Sequence, residues 1–374
     1  GIKMMKVVIY SVFTLCLIAV VYVMIYQFLF RYDESCSKLK VLNLEKAIDD
    51  FYLSEEDYIE NMTKYVYPKL EKYRKSESFM NDGHTIVYES YLLEEPKATI
   101  IMIHGNCEKK EKYQEAIYYF LNMNYQVYIF DQYGHGESTR SPSDRNLVDV
   151  DHYAVYVNDL RYLIEEIVIK EVKMTPIVLF GHSMGGCIAA LLAEQYPTLI
   201  DGLILSSPMF QVDTAGIWEG FAYPYIKLSC LLGKKTDYLV GEPYRQELEQ
   251  EINSTHLLTN SQKRGSFMYQ QRFTGGTSPT FGSSWQWVRA SIDAIHQVLK
   301  KENITLIDAP ILLFQAEEDS AVLPYGQYSF ANSAHEIDFY LIENAQHELY
   351  IEKDEIIQSY FNQMKEFIET KILK

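Results

Sequence analysis

The sequence lacks the cysteine patterns that build metal sites and disulfide frameworks. Only five cysteines occur among 374 residues, none lies in a CxxC pair, and no cluster of histidines accompanies them. Zinc sites and disulfide-rich folds depend on such spacings or on an even, regular set. We therefore expect no metal, no other cofactor and no disulfide framework, and we interpret Cys187 as a small residue of the core.

Positive charge is also scarce. The chain has 34 Lys and Arg against 51 Asp and Glu, which gives a formal net charge of -17. A surface this acidic has no electrostatic footprint for nucleic acid, and its overall charge does not draw it to anionic lipid. The sequence therefore predicts no nucleic-acid partner, and any attachment to a membrane must be hydrophobic.

One long hydrophobic run stands near the N-terminus, where residues 7–30 contain no charged side chain. A helix of that length spans roughly 36 Å at ~1.5 Å per residue, enough to cross the ~30 Å core of a bilayer. A cleaved signal peptide would have a shorter apolar run and a small-x-small exit, and neither is visible. We predict a transmembrane anchor over residues 1–30, and the basic residues on both sides leave its orientation open.

The rest of the chain changes character near residue 80. Residues 31–80 are charged and rich in tyrosine, with patches of helical period. We predict a helical connector there, broken or kinked at Pro68. Residues 81–374 are predicted to form a single domain. Its first element, at 84–93, alternates in polarity and is predicted to be an edge strand.

Short apolar runs separated by helical stretches dominate that domain. They lie at 98–103, 126–130, 177–180, 203–205, 311–314 and 338–342. Such runs predict an α/β fold with a mostly parallel central sheet and helices on both faces. Polar residues gather just after the carboxyl ends of the runs, at the edge where open α/β sheets bind ligands. This distribution indicates an enzyme.

A long gap interrupts the alternation. About 100 residues separate Ser207 from the run at 311–314, and a loop of that length without structure is implausible. The segment contains tryptophans and weak helical periods. It predicts an inserted, mostly helical cap at about 209–306, above the active edge of the sheet.

The motif that carries chemistry is Gly181-His182-Ser183-Met184-Gly185. It follows the run at 177–180 and precedes a good helix, which is the strand–turn–helix context of the G-x-S-x-G nucleophile elbow. The sharp turn projects the serine hydroxyl above the sheet, and the helix N-terminus favours developing negative charge. Ser183 is therefore the predicted nucleophile.

A serine hydroxyl needs a base, and that base needs an orienting acid. On this fold the acid and then the histidine follow the nucleophile along the chain. His347 comes after the last predicted strand and Asp319 after the one before it. We predict these two as base and acid, although the neighbouring Glu318 could replace Asp319.

The tetrahedral intermediate of acyl transfer needs two backbone donors. The N–H of Met184, directly after the nucleophile, supplies the first. The turn His104-Gly105-Asn106 follows an early strand and supplies the second, for which we predict the N–H of Asn106.

Together these motifs resemble the monoacylglycerol lipase and lysophospholipase branch of the α/β hydrolases, a branch grouped with serine aminopeptidases. Shorter phrases resemble the inner-membrane lysophospholipases of bacteria most closely. They are Ser207-Pro208-Met209-Phe210, Trp287-Val288-Arg289-Ala290-Ser291 and Gln315-Ala316-Glu317-Glu318. The resemblance implies a serine esterase that cleaves the single acyl ester of a lysophospholipid or monoacylglycerol through an acyl-enzyme. It also implies residence in a bacterial cytoplasmic membrane.

Two other functions use the same parts. A serine aminopeptidase would need an acidic patch in the cap for the substrate amine, and a general carboxylesterase would need no lipid. The candidate acidic patch is Glu242, Glu247, Glu249 and Glu251. A phosphate-bearing lipid would instead meet cap cations, of which the candidates are Lys227, Lys234, Lys235, Arg245, Lys263, Arg264 and Arg272. The headgroup, the oligomeric state and acyl transfer to an alcohol in place of water stay open.

Overall fold

The computed structural model describes residues 2–46, 48–172, 174–245, 247 and 258–374. Its strands, in chain order, are β1 (Leu39–Val41), β2 (Arg74–Asn81), β3 (His84–Tyr91), β4 (Ala98–Ile103), β5 (Tyr125–Phe130), β6 (Leu147–Val148), β7 (Ile177–His182), β8 (Gly202–Ser206), β9 (Tyr238–Gly241), β10 (Gly282–Ser284), β11 (Ile311–Ala316) and β12 (Ile337–Ile342). Nine of these described strands form the main sheet, in the order β1-β12-β11-β8-β7-β4-β5-β3-β2. Only the pairs β2–β3 and β3–β5 are antiparallel, so the sheet is mostly parallel, as predicted.

Helices cover both faces of this sheet. The described α-helices, in chain order, are α1 (Ile2–Leu29), α2 (Tyr58–Asn61), α3 (Tyr67–Tyr73), α4 (Gln114–Asn122), α5 (Ala154–Tyr162), α6 (Ile169–Val172), α7 (Met184–Gln195), α8 (Glu219–Ser229), α9 (Gln262–Gln271), α10 (Trp285–Val298), α11 (Lys301–Ile304), α12 (Tyr325–Ser333) and α13 (Asp354–Phe367). Alternate residues of a central strand enter two separate cores. In β4, Ile101 and Ile103 join the core under α5, α7 and α10, while Ile100 and Met102 join the core under α4 and α13. The α/β-hydrolase fold is therefore confirmed.

The region predicted as a helical connector needs correction. In its described part only residues 58–73 are helical. The rest includes β1, which pairs in parallel with β12 at one edge of the main sheet, and most of β2, which forms the opposite edge. The strand predicted at the edge, β3, is therefore wrong in position, because β3 lies between β5 and β2 and β2 is the edge strand. The three residues of β1 are too few to show an alternating pattern, and backbone pairing with a distant strand makes them a strand.

The predicted break at Pro68 does not occur. The chain stays helical from α2 through a π-helical turn at Met62–Val66 into α3, where Pro68 is near the first position. Pro68 lies inside this continuous helical stretch, where a proline removes a backbone donor and its ring crowds the preceding turn. The distortion takes the form of the wider turn before it.

The segment between β8 and β11 contains α8 to α11, together with β9 and β10. These two short strands pair with β6 in a separate three-stranded sheet, in the order β6-β10-β9. The limits of the cap at about 209–306 stay a prediction. The small sheet joins the cap to the loop after β5. The prediction of a single, mostly helical insertion did not include this connection.

Among the described helices, α1 alone is long and apolar enough to cross a membrane, and a signal sequence meets the same criteria. Its last turns contact the cap. The Tyr26 hydroxyl donates to Glu219 Oε1 at 2.7 Å, and the Tyr32 hydroxyl, just after the helix, donates to Glu219 Oε2 at 2.7 Å. The ring of Phe30 stacks on His296 with 3.8 Å between centroids. The helix therefore ends against the start of α8.

Candidate active site

The backbone at Ser183 has the strained geometry of a nucleophile elbow. Its φ is 53° and its ψ is -118°, a left-handed value that costs a residue with a side chain about 1–3 kcal/mol. Glycines on either side make the turn possible. A Cβ at Gly185 would lie 2.1 Å from the Ile103 carbonyl oxygen, and one at Gly181 would lie 2.5 Å from the Gly185 carbonyl oxygen.

Asp319 and His347 meet as the sequence predicts. The distance from His347 Nδ1 to Asp319 Oδ2 is 2.7 Å. The other carboxylate oxygen, Oδ1, accepts hydrogen bonds from the N–H groups of Ala321 at 2.8 Å and Val322 at 3.0 Å. These bonds hold the carboxylate in one orientation. Glu318 instead accepts a hydrogen bond from Asn260 Nδ2 at 2.9 Å, away from the imidazole.

The two charges stabilise each other against the cost of burial. Burial alone would raise the pKa of Asp319, but the His347 charge, its hydrogen bond and the two backbone N–H groups outweigh burial and lower it. Burial alone would lower the pKa of His347, but the Asp319 charge and hydrogen bond raise it above its ordinary value. This ion pair suits an imidazole that becomes an imidazolium during a reaction.

Ser183 and His347 line the same cavity, which has a volume of about 750 Å³. The imidazoles of His347 and His182 lie 4.7 Å apart, centroid to centroid. Within the described residues no hydrogen bond joins the Ser183 hydroxyl to His347 in this conformation. Such bonds commonly tighten only when substrate is bound, so the arrangement is compatible with a base and a nucleophile.

The turn after β4 lies directly beside the elbow. A Cβ at Gly105 would lie 3.3 Å from Ser183 Cβ. The Gly105 N–H donates to Glu108 Oε2 at 2.7 Å, so it is already used. Asn106 is next along the chain and lines the cavity, and Met184 is the first residue of α7, where backbone N–H groups have no acceptor within the helix.

The main group that sequence reasoning missed is the carboxylate of Glu108. Besides the Gly105 N–H it accepts the hydroxyls of Tyr113 at 2.6 Å and Tyr350 at 2.7 Å, and the Lys112 ammonium at 2.8 Å. Burial opposes its charge, but Lys112 and the other donors hold the pKa of Glu108 well below its usual range. The sequence signal available was a glutamate three residues after the His-Gly turn.

Lys112 extends this network to the histidine loop. Its ammonium also pairs with Glu348, the residue after His347. The turn that carries Asn106 and the loop that carries His347 are therefore tied to one buried ion cluster. A cluster of this kind restricts relative movement of the two loops.

The histidines in the two early turns have structural partners. His104 Nε2 accepts the Gln132 N–H at 3.1 Å, and His135 Nε2 accepts the Cys107 N–H at 3.0 Å. Burial lowers the pKa of His135 to about 3. Both rings therefore stay neutral, and their hydrogen bonds connect the turn after β4 with the loop after β5. Among the described residues no group of three His, Cys, Asp or Glu side chains has the arrangement of a metal site.

Fold and elbow together define a hydrolase of the α/β-hydrolase class. Comparison with known families places the chain more narrowly. It belongs to the family described as serine aminopeptidase, S33, whose profile matches residues 94–354.

The chain is similar to several lipid esterases in sequence. It is 29% identical to lysophospholipase L2 of Escherichia coli over 269 residues, which cover 68% of this chain and 75% of that protein. It is 28% identical to a probable lysophospholipase L2 of Haemophilus influenzae over 281 residues, covering 73% and 84%. It is 24% identical to the monoglyceride lipase of Mus musculus over 286 residues, covering 74% and 84%.

Solved structures support the fold. A soluble variant of the monoglyceride lipase from Saccharomyces cerevisiae superposes with a TM-score of 0.61 at 20% identity, covering 80% of this chain and 95% of that one. A thermostable carboxyl esterase from Bacillus coagulans superposes with a TM-score of 0.65 at 19% identity, covering 80% and 99%. The resemblance to the lysophospholipase and monoacylglycerol lipase branch is confirmed.

Proposed function

We propose that this chain hydrolyses the single acyl ester of a lysophospholipid or monoacylglycerol, with Ser183 as nucleophile, His347 as base and Asp319 as the orienting acid. The observation that carries the proposal is the buried His347–Asp319 pair, which shares one cavity with the strained serine. The enzyme class is that of the relatives, a carboxylic ester hydrolase.

The reaction begins with attack of Ser183 Oγ on the ester carbonyl carbon, while His347 Nε2 takes the hydroxyl proton. The N–H groups of Met184 and Asn106 hold the oxyanion that forms. Collapse breaks the ester C–O bond, and the imidazolium gives its proton to the departing alcohol. Water, deprotonated by His347, then attacks the acyl-serine, and the proton returns to Ser183 as the fatty acid leaves.

The cavity walls suit an acyl chain. Apolar side chains from the cap and from the loop after β8 line the cavity that contains Ser183, among them Met209, Ile226, Trp285 and Val288. Apolar walls with few polar groups are typical of sites that bind a hydrocarbon chain.

We also propose that the protein works at a lipid surface, with α1 as its anchor. The outer side of α8 and the turn after it is apolar, and each of its members is more than half exposed: Phe221, Tyr225, Leu228, Leu231 and Leu232. This surface is continuous with the end of α1, because the Tyr22 hydroxyl donates to the Gly220 carbonyl oxygen at 2.8 Å. Exposed apolar surface of this extent marks an interaction site, and a bilayer that holds α1 would cover it.

A serine aminopeptidase fits the cavity less well. Its substrate amine needs an unpaired carboxylate, but both glutamates that line the cavity, Glu108 and Glu348, are paired with Lys112. The third carboxylate of the lining, Asp213, has no cationic partner among the described residues, but it is exposed and accepts the Gly216 N–H at 3.1 Å. Of the acidic patch considered in the cap, Glu242 and Glu247 are exposed at the surface. Glu249 and Glu251 lie outside the described residues.

A substrate panel tests the proposal. Wild type and Ser183→Ala would be assayed on lysophospholipids, monoacylglycerols, short esters and aminoacyl-arylamides, with fluorophosphonate labelling as the measure of serine reactivity. We expect labelling and lipid-ester turnover in wild type alone. Turnover of arylamides without turnover of lipid esters would establish the peptidase instead.

A further inference from the structure

A second cavity of about 200 Å³ lies beside the catalytic one and shares several of its walls. The shared walls are Asn106, Cys107, Glu108, Leu258 and Glu348. We call this second cavity the side chamber. Because Asn106 lies in both walls, the side chamber begins where the carbonyl oxygen of a bound ester would be held.

Two cations line the side chamber without a carboxylate partner among the described residues. Arg272 donates through Nη2 to the Thr280 carbonyl oxygen at 2.6 Å, and its guanidinium lies 4.4 Å from the Phe281 ring centroid. Lys109 donates through Nζ to the Thr274 carbonyl oxygen at 2.9 Å. Both contacts orient the cation, and neither cation has a carboxylate of the described residues within ion-pair distance, although Glu111, Asp131 and Glu137 act on Lys109 from farther away.

Two other basic residues near the site are already neutralised. Lys112, which also lines the side chamber, is held between Glu108 and Glu348. Arg264, one of the cap cations considered for a phosphate, is fully buried against Glu115 and Asp354. In a chain with a net charge of -17, two cations in one recess that form no close ion pair with a described carboxylate are a specific feature.

Burial of Lys109 makes the binding of an anion beside it more favourable. Lys109 is half-buried, and burial lowers the pKa of its ammonium. A bound anion would offset that cost, because an opposite charge favours the charged form of the ammonium.

The side chamber also offers neutral polar groups. Ser278 Oγ and Asn106 Oδ1 are buried and have no hydrogen-bond partner in the part of the chain that the structure describes. The hydroxyl can donate to an oxyanion, and the amide oxygen can accept from an alcohol. A ligand that has both an anionic group and an alcohol would therefore provide partners for Ser278 Oγ and Asn106 Oδ1.

We infer that the side chamber binds the phosphate of a single-chain phospholipid, with Arg272 and Lys109 as the residues that select it over a neutral monoacylglycerol. This inference rests on the proposed function, because it places the acyl chain in the catalytic cavity and the ester at the oxyanion turn. The glycerol between ester and phosphate then crosses Asn106, and its free hydroxyl meets Asn106 Oδ1.

Direct binding tests the inference without relying on turnover. Ser183→Ala would be titrated with a lysophospholipid and with a monoacylglycerol of the same short acyl chain, both below their critical micelle concentrations. The lysophospholipid is expected to bind about tenfold more tightly, and Arg272→Gln or Lys109→Gln is expected to remove most of that preference. Lys263→Gln, an exposed substitution on α9 outside the side chamber, is the matched control and keeps the preference.

The remaining outcomes also decide the matter. Equal loss of affinity for both lipids in Arg272→Gln would show a structural role and overturn the inference. Inorganic phosphate, titrated alone, shows whether the side chamber binds a free anion or a lipid headgroup. Tight binding of phosphate together with equal binding of the two lipids would also overturn the inference. If wild type hydrolyses neither lipid while the binding preference holds, the proposed function fails and the phosphate site stands.

Discussion

The imidazole of His347 and the carboxylate of Asp319 lie 2.7 Å apart although their positions in the chain differ by 28. They follow β12 and β11, which pair in parallel, so their carboxyl ends lie side by side. The same edge of the sheet carries the elbow after β7. Strand adjacency, not sequence proximity, therefore assembles the candidate triad.

Removing the proposed nucleophile or the proposed base should abolish ester turnover. We expect Ser183→Ala and His347→Ala each to lower kcat by about 10⁴-fold or more, because the two side chains act as a unit. The double variant should be no worse than either single one. Steady-state kinetics on a short ester, with circular dichroism as the control for folding, measures this. Substantial turnover in His347→Ala would mean that another group is the base.

The acid limb of the pH–activity profile should reflect the pKa of His347, which Asp319 raises. The imidazole must be neutral to accept a proton, and Asp319 raises the pKa of His347. Activity should therefore fall as the pH drops through a value above about 6.5, the ordinary pKa of histidine. Asp319→Asn removes the charge that raises it, so the acid limb should move to lower pH while kcat falls. A limb that does not move in Asp319→Asn would contradict the pairing.

Glu108 should act as a positioning residue for the oxyanion turn. Glu108→Gln weakens the anchor of Gly105 and leaves Lys112 without its full counter-charge. We expect kcat to fall about 10- to 100-fold with little change in KM, since the turn acts on the transition state. A rise in KM at constant kcat would assign Glu108 to ground-state binding instead. Thermal unfolding of the variant separates misplacement of the turn from loss of the fold.

The buried ion pair between Arg264 and Glu115 should stabilise the fold without taking part in chemistry. Both side chains are essentially inaccessible, and Arg264 Nε lies 3.0 Å from Glu115 Oε1. Arg264→Met leaves a buried carboxylate uncompensated, which should cost about 3–5 kcal/mol of the free energy of unfolding. The exposed pair Lys170–Glu166 supplies the control, where Lys170→Met should cost less than about 1 kcal/mol. Denaturant unfolding compares the two variants.

The apolar outer side of α8 should matter only at a lipid surface. Leu231→Asp and Leu232→Asp place charge where we propose that a bilayer lies, so turnover of lipid in vesicles should fall several-fold. Turnover of a short soluble ester should be unchanged. Leu306→Asp, at another exposed leucine, is the matched control and should affect neither. Equal vesicle activity in all three variants would remove α8 from the lipid contact.

The sequence by itself determined those features that depend on short stretches of chain. The elbow around Ser183, the apolar runs of the parallel strands and the hydrophobic α1 segment are local patterns, and each lies where the pattern placed it. The expected order of nucleophile, acid and base along the chain was enough to choose His347 and Asp319 as candidates, because strand ends of this fold have a known arrangement, and the structure brings the two side chains into contact.

Only the tertiary structure decided what depends on residues far apart. The three residues of β1 become a strand through pairing with β12, and β2, not β3, becomes the edge. The hydrogen bond between Tyr350 and Glu108 joins residues 242 positions apart, and the contact between Arg264 and Glu115 joins residues 149 positions apart. The side chamber likewise forms between the turn after β4 and the segment that follows α9. None of these contacts leaves a local pattern, because burial and pairing are properties of the assembled chain.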